Sequence, residues 1–316
     1  MTSETTTTTA NDVTYSAVIA PVMMATLAEH ALPMSLCREF NIINEPSNAI
    51  DVTVADSDVG SADDDGAGVD TEFDATEGSE LGNTAFDTSK VTLTAAELGI
   101  AYEVTDNVRE DTISGIDLFS AITSHMNRAL ALAWTDNFCA LFASLSNSVG
   151  GSGSAATVAH LLAAQVGPRR RGTVADDGMT YVLDNKAAGD VESQLTSTIG
   201  SAAVYAFAAD RMLQANVGPN NGMGQGRQVM SFRGYPVIAT GLTDTADSSV
   251  NVVSACFTHD GPRNRDYATF GNAIKRLPRF EQERHAKKRT TDLVLTMRMG
   301  VGELLDGTGT KIVTGA

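Results

Sequence analysis

The chain has 316 residues, 42% of them hydrophobic, enough apolar material for one large core or two modest ones, which excludes a largely disordered polypeptide. Its formal net charge of −17 argues against binding free nucleic acid through the phosphate backbone, because such proteins carry a basic face that releases counterions. Cys37, Cys139 and Cys256 stand far apart and outside any C-x-x-C or Cys/His spacing, so neither a disulfide framework nor a zinc site is signalled, and they read as small buried residues.

The Thr-rich start, MTSETTTTTAND, has little to bury and is expected to be a mobile arm in isolation. It lacks a basic segment followed by an apolar one, and the apolar run Ala17 to Leu27 is too short to span a bilayer, so a soluble protein made in a cytoplasm is expected. An irregular helical pattern broken by Pro21 and Pro33 follows, from Val18 to Phe40.

Ile50, Val52 and Val54 alternate with polar neighbours and predict a strand. Val91, Leu93, Ile100, Tyr102 and Val104 predict a second extended stretch, broken near Gly99. Between them lies SDVGSADDDGAGVDTEFDATEGSE, Ser57 to Glu80, a run of glycines and carboxylates without lysine or arginine. An excursion of that length between extended arms exceeds ordinary hairpin loops and points to a functional or disordered loop. Its glycines permit bends, and its carboxylates discourage edge pairing before a partner is met.

From Ser114 to Leu145 the period becomes helical, with Phe119, Ile122, Met126, Leu130, Trp134, Phe138, Leu141 and Leu145 at steps of three and four. Such a helix would be a rod of roughly 45 Å. The glycine-serine stretch Ser148 to Thr157 reads as a break. Beyond it the texture is α/β: a short helix from Val158, a strand TYVLD ending at Asp184, helices Lys186 to Ile199 and Ala202 to Asn216, then strands RQVMSF, YPVIAT and VNVVSACF. The tail predicts long strands around Pro278, a Gly-rich turn and a last strand Lys311 to Val313, packed back on the long helix.

Charge is distributed unevenly along the chain. Before Gly167 the only cations are Arg38, Lys90, Arg109 and Arg128, whereas Arg263 to Arg289 also holds Arg265, Lys275, Arg276, Arg279, Arg284, Lys287 and Lys288. This polarity suits copies of one chain that meet front to back. The cluster Arg169 to Arg171 reads as an exposed loop.

No pattern nominates a catalytic centre. GMGQGR, Gly222 to Arg227, has a helix before it and a strand after it, the reverse of a phosphate loop, and reads as a turn. Ser61, Asp63, Asp65, Gly66 and Glu72 occupy the first, third, fifth, sixth and twelfth places of an EF-hand-like loop. Ser61 stands where Asp is expected, Gly68 where an apolar residue is expected, and no helices flank the segment. It is a calcium-loop candidate of the kind chance produces in an aspartate-rich stretch, and no metal or cofactor is expected. His30, His125, His160, His259 and His285 are isolated from one another, and no G-x-S-x-G elbow or Cys/His signature occurs.

Two stretches carry a family resemblance. Thr88 to Phe142, with the returning strand, the VTD at Val104 to Asp106 and the Arg-Ala-Leu-Ala run at Arg128 to Ala131, resembles the passage of tailed-bacteriophage major capsid proteins that leads into their spine helix. SFRGYPVIATGLTDT, Ser231 to Thr245, resembles the G-x-P-V-I strand of that family's axial domain, and MRMGVGELLDGTGTKIVT resembles its usual C-terminal end. The resemblance covers the chain from about Val18 onward.

It implies an α+β chain with the Hong Kong 97-type fold and no enzymatic turnover. Residues 1–48 would be an N-terminal arm, 49–105 an extended loop, 106–150 a peripheral domain with the spine helix, 151–260 the α/β axial domain, 261–300 peripheral strands, and 301–316 a return to the axial domain. The implied function is a virion shell protein, made in a host bacterial cytoplasm, that assembles with itself as hexamers and pentamers around packaged double-stranded DNA without reading its sequence. Fewer than fifty residues precede Ala49, so a scaffolding protein is expected to be a separate chain, with a portal and a decoration protein as further partners and no membrane. Lys90, the only lysine before Lys186, lies on the returning strand, but no partner pattern accompanies it, and a lysine-asparagine crosslink is not expected. The alternative, from the α/β texture, is a soluble ligand-binding protein or enzyme with a pocket in residues 151–260.

Overall fold

The computed structural model describes residues 31–55, 88–111, 115–166, 168, 178–199, 228–243, 251–259 and 268–315. Its longest helix, α3 (Gly115–Ala140), continues into a 3-10 turn at Leu141–Ser144 and is flanked by two sheets. Before it come α1 (Leu32–Leu36), the strands β1 (Arg38–Asn41), β2 (Ala49–Ala55), β3 (Thr88–Thr94) and β4 (Ala96–Thr105), and the short α2 (Asp106–Asp111). After it come β5 (Ser148–Gly150), α4 (Val158–Ala164), β6 (Met179–Asp184), α5 (Asn185–Ile199), β7 (Gln228–Phe232), β8 (Tyr235–Thr240), β9 (Asn251–Thr258), β10 (Phe270–His285), β11 (Thr290–Glu303) and β12 (Gly309–Gly315).

One sheet has the order β1-β10-β11-β4. Its long antiparallel pairs set Leu293, Leu295, Met297 and Met299 of β11 and Leu98, Ile100, Tyr102 and Val104 of β4 on one face, the period of two expected of strands. That face receives Met126, Leu130, Ala131 and Trp134 of α3, all buried, at the helical spacing predicted from the sequence. Thr135 binds α1 to the helix: its hydroxyl accepts from Leu32 N at 3.4 Å and donates to Ala131 O at 2.9 Å. Pro278, which cannot donate to a ladder, falls between Arg276 and Arg279, where the β10–β11 register shifts.

The second sheet has the order β5-β12-β9-β6-β8-β7. Residues of β6 and β9 are buried on both faces, as suits strands covered by helices on each side. One face, with Tyr181, Leu183, Val237, Ala239 and Cys256, packs against Leu161 and Ala164 of α4 and Ala187, Ala188 and Val191 of α5. The buried Tyr181 hydroxyl donates to Leu161 O at 2.8 Å. The other face, with Val182, Ile238, Val253, Ala255 and Phe257, meets the end of the long helix through Phe138, Cys139, Phe142 and Leu145. Phe138 lies edge-on to Phe142, Phe257 and Phe270, with ring centroids 5.1, 5.8 and 5.2 Å away.

Three details differ from the sequence reading. Phe142 is fully buried and Leu141 half-buried: Phe142 follows Phe138 by four residues on the same helical face and packs against Phe257 and Phe270. The returning strand breaks at Ala95, where the chain leaves the β2–β3 pair to join β11, and Gly99 continues β4 opposite Thr296. The glycine-serine break contains β5, which pairs in parallel with β12 through Ser148–Lys311 and Val149–Ile312.

Phe138→Ala removes a ring that touches both sheets' shared core. It is expected to destabilise the chain by about 3–5 kcal/mol, measured as the shift in urea unfolding free energy at constant m-value.

Candidate assembly surface

The acidic excursion springs from a two-stranded antiparallel pair, β2 with β3, in which Ala49 faces Thr94 and Ala55 faces Thr88. The alternation seen in the sequence gives the pair one apolar side. Val52, Val54 and Leu93 join Ile42, Ala95, Ala273 and Leu304 in a small core. The opposite side carries Asp51 and Lys90, exposed and 2.7 Å apart. The Thr92 hydroxyl donates to Asp51 Oδ1 at 2.7 Å. Lys90, and after it Thr92, holds the Asp51 carboxyl below its ordinary range.

The base of this pair is seated on glycines. A Cβ on Gly300 would fall 2.0 Å from Thr94 O, one on Gly302 2.5 Å from Leu93 Cδ2, and one on Gly271 2.9 Å from Leu93 Cδ1. Adjacent strands β10 and β11 thus lack side chains where β3 crosses them, and the hairpin lies against their backbone. Ala95 N donates to Asn48 O at 2.9 Å and closes the base. Ser61, Asp63, Asp65, Gly66 and Glu72, the calcium-loop candidates, lie outside the described residues, as do the Arg169 to Arg171 cluster and Gly222 to Arg227.

At the far end of the four-stranded sheet, the turn between β10 and β11 exposes Ala286, Lys287, Lys288 and Arg289. The cations nearer the body are already engaged within the chain. Arg276 meets Glu97 at 2.6 Å, Arg279 meets Glu281 at 2.8 Å, Arg284 meets Asp106 at 2.9 Å, and the Lys275 ammonium donates to the carbonyls of Ile42 and Glu45. Among the described residues, Lys287, Lys288 and Arg289 form no ion pair. Among the described residues of the basic segment, the cations whose side chains meet neither a carboxylate nor a carbonyl are therefore those of this turn, while Arg263 and Arg265 lie outside the described residues.

Among the described residues no group of three or more His, Cys, Asp or Glu side chains is placed to hold a metal. Described histidines are dispersed: His125 meets the Tyr102 hydroxyl at 2.9 Å, His259 meets Thr180 at 2.9 Å, and His285 meets Asp292 at 3.0 Å. The three cysteines are buried thiols, and burial pushes Cys139 far above the ordinary thiol range, which leaves it inert as a nucleophile.

The sheet order, the helix and the hairpin have counterparts in known shells. The capsid of Ralstonia phage GP4 superposes with a TM-score of 0.62 over 91% of this chain and 92% of its own, at 10% identity. The fold is the Hong Kong 97-type capsid fold. The capsid of a native GTA particle matches with a TM-score of 0.58 at 15% identity, covering 92% of this chain and 91% of the other. The encapsulin of a holo-SrpI complex from Synechococcus elongatus has the same capsid fold, with a TM-score of 0.57 at 9% identity over 88% and 85% of the two chains. No protein-family model and no curated protein matches the sequence.

Gly300→Ala places a methyl group on the Thr94 carbonyl and should lift β3 from its seat. Amide protection of Thr88 to Thr94 is expected to fall while that of β9 is kept, with a loss of about 1–3 kcal/mol overall, read by hydrogen exchange and denaturation.

Proposed function

We propose that this chain is the major capsid protein of a tailed double-stranded DNA bacteriophage, self-assembling as hexamers and pentamers into an icosahedral shell that encloses the genome. The observation that carries the reading is the near end-to-end match to a phage capsid: 91% of this chain and 92% of the other. The sequence stretches that resemble the family fall on the elements the resemblance implies: Val104 to Asp106 at the approach to α3, and Gly234 to Ile238 in the turn before β8 and on β8 itself. The role is structural, with assembly and shell rearrangement as its mechanism, and no turnover.

In this reading residues 1–48 are the arm, 49–105 the extended loop, 106–150 the peripheral domain with α3 as its spine, 151–260 the axial domain, 261–300 the peripheral strands, and 301–316 the return to the axial domain. Support for separate peripheral and axial units comes from the two sheets, one holding β10 and β11 and the other β6 to β9 with β12; β1 of the arm and β4 of the loop join the first sheet, and β5 joins the second. The partners are other copies of the chain, a separate scaffolding protein, a portal and a decoration protein, with packaged DNA bound without sequence preference. The product resides in the virion after synthesis in the bacterial cytoplasm.

The loop's contact follows from charge. Its carboxylate-rich segment, residues 57–80, meets the Lys287–Arg289 turn of a neighbouring copy, a pairing that guides association and weakens with salt.

Electron microscopy of the expressed protein, alone and with its neighbouring genes, is expected to show rings or closed shells; a small monomer that stays monomeric under both conditions overturns the reading. Replacing Lys287, Lys288 and Arg289 together by Glu is expected to cut assembly yield several-fold at low salt and to flatten its salt dependence, followed by light scattering.

A further inference from the structure

We propose that the outer face of α4 and the turn after it, with Arg233 at the rim, is a contact surface for a second copy of this chain, which covers the helix with apolar side chains and brings a carboxylate to Arg233. Commitment to a second copy rests on the proposed shell function.

Residues 158–166, VAHLLAAQV, hold two polar side chains, His160 and Gln165, and no acidic or basic residue besides that histidine. A surface helix ordinarily turns its apolar stripe to the core and its polar side to water. Here the order is partly inverted. Leu161 and Ala164 are buried as expected, but so is Gln165, whose Nε2 is enclosed without a hydrogen-bond partner, as is His160 Nδ1. Outward, at helical steps of three and four, stand Ala159, Leu162, Ala163 and Val166, with Leu162 38% and Val166 51% exposed. Of the five large apolar side chains exposed among the described residues, two thus lie one turn apart on this face. Scattered exposed apolar residues are ordinary, whereas a contiguous apolar stripe with a polar rim marks an interaction site.

The helix is fixed from beneath and at its start. The Thr157 hydroxyl accepts from His160 N at 3.3 Å, Gln194 Oε1 of α5 accepts from Val158 N at 2.9 Å, and the buried Tyr181 hydroxyl donates to Leu161 O at 2.8 Å. Rolling Leu162 inward would expel Leu161 and break these bonds, so the stripe needs a cover from outside.

The rim sets the charge of that cover. Arg233 occupies the two-residue turn between β7 and β8 with a φ of 55°, followed by Gly234 at 90°, the left-handed pair of a type I′ hairpin turn. Asn, Asp or Gly is preferred at the first of these positions, so the arginine stands there against local preference. Its guanidinium donates to Gln165 Oε1 at 3.4 Å and meets no carboxylate among the described residues. The remaining N–H groups of the fork suit an acceptor with two oxygens. Neither α4 nor the β7–β8 hairpin contains an acid, so the surface cannot supply that carboxylate to itself. The contact is therefore heterologous, one face meeting a different face of the next copy, which is the geometry that closes a ring. A chain with 39 acidic residues against 22 Lys and Arg has carboxylates to offer from its other surfaces.

Sedimentation velocity of the purified full-length chain, over a range of concentration and salt, measures the contact. Leu162→Asp and Val166→Asp are each expected to weaken self-association by about tenfold, and Arg233→Glu to weaken it several-fold and reduce its salt dependence. The urea midpoint of each unassembled variant is expected to match wild type, as suits exposed positions. All three native thiols are buried, so Leu162→Cys adds a thiol that can be alkylated selectively; its alkylation is expected to be several-fold slower in the associated fraction than in the monomer. Wild-type association that none of the three charged substitutions weakens overturns the contact and leaves the shell function standing. A strong fall in urea midpoint for Leu162→Asp and Val166→Asp, with the Leu162→Cys thiol equally slow in monomer and associated fraction, overturns it as well, because the chain's own residues then cover the helix. Small rings that the substitutions break, without closed shells from wild type, support the contact and overturn the shell function. A wild-type chain that stays monomeric throughout overturns both.

Discussion

The edge-to-face packing of Phe138, Phe142, Phe257 and Phe270 is the contact on which the rest of the molecule depends. Phe138 and Phe142 belong to the end of the long helix, Phe257 to the six-stranded sheet and Phe270 to the first residue of β10 in the other sheet. Four rings from three elements thus make one core out of what would otherwise be two. Aromatic pairs of this geometry add to the transfer energy of the rings themselves, so the direction of the helix relative to both sheets is fixed at this point. The hairpin base at one end of the four-stranded sheet and the basic turn at the other are both carried by β10 and β11, whose sheet is anchored at this core.

The elements whose sequence period equals their structural period were legible. Ile50, Val52 and Val54 against Val91 and Leu93 made the hairpin visible, and Met126, Leu130, Trp134 and Phe138 made the helix visible, because one face of each is buried and the other is wet. What was not legible depends on a partner distant in the chain. Leu141 and Phe142 follow Phe138 by three and four residues, both helical steps, and the rings of Phe257 and Phe270 decide that Phe142 is the buried one. The glycines at 271, 300 and 302 read as weak strand residues until Leu93 and Thr94, contributed from far upstream, are laid across them. Strand β5 is three residues long and exists only because β12 offers it an edge.

The candidate surface was half legible for the same reason. A run of like charges is visible in any sequence, and so the acidic excursion and the basic tail both stood out. Which cations remain open to a second molecule is a matter of register. Arg276 and Arg284 sit level with Glu97 and with Asp106, and the sheet's own acids satisfy them. Among the described residues of the basic segment, the turn, where the ladder ends, leaves cations without such neighbours.

The pairing of β4 with β11 has a consequence in time as well as in space. Thr105 faces Thr290 and Ala96 faces Met299, so this ladder closes a loop that contains every strand of the other sheet except β12. Contacts so remote in sequence form late, after the entropy of closing the intervening chain has been lost. The six-stranded sheet draws β6 to β9 from one continuous stretch and can collect them first. Until β11 arrives, the apolar face of the long helix stands open to solvent and to other nascent chains. Fast local folding followed by slow closure is the order that leaves an intermediate in need of a chaperone.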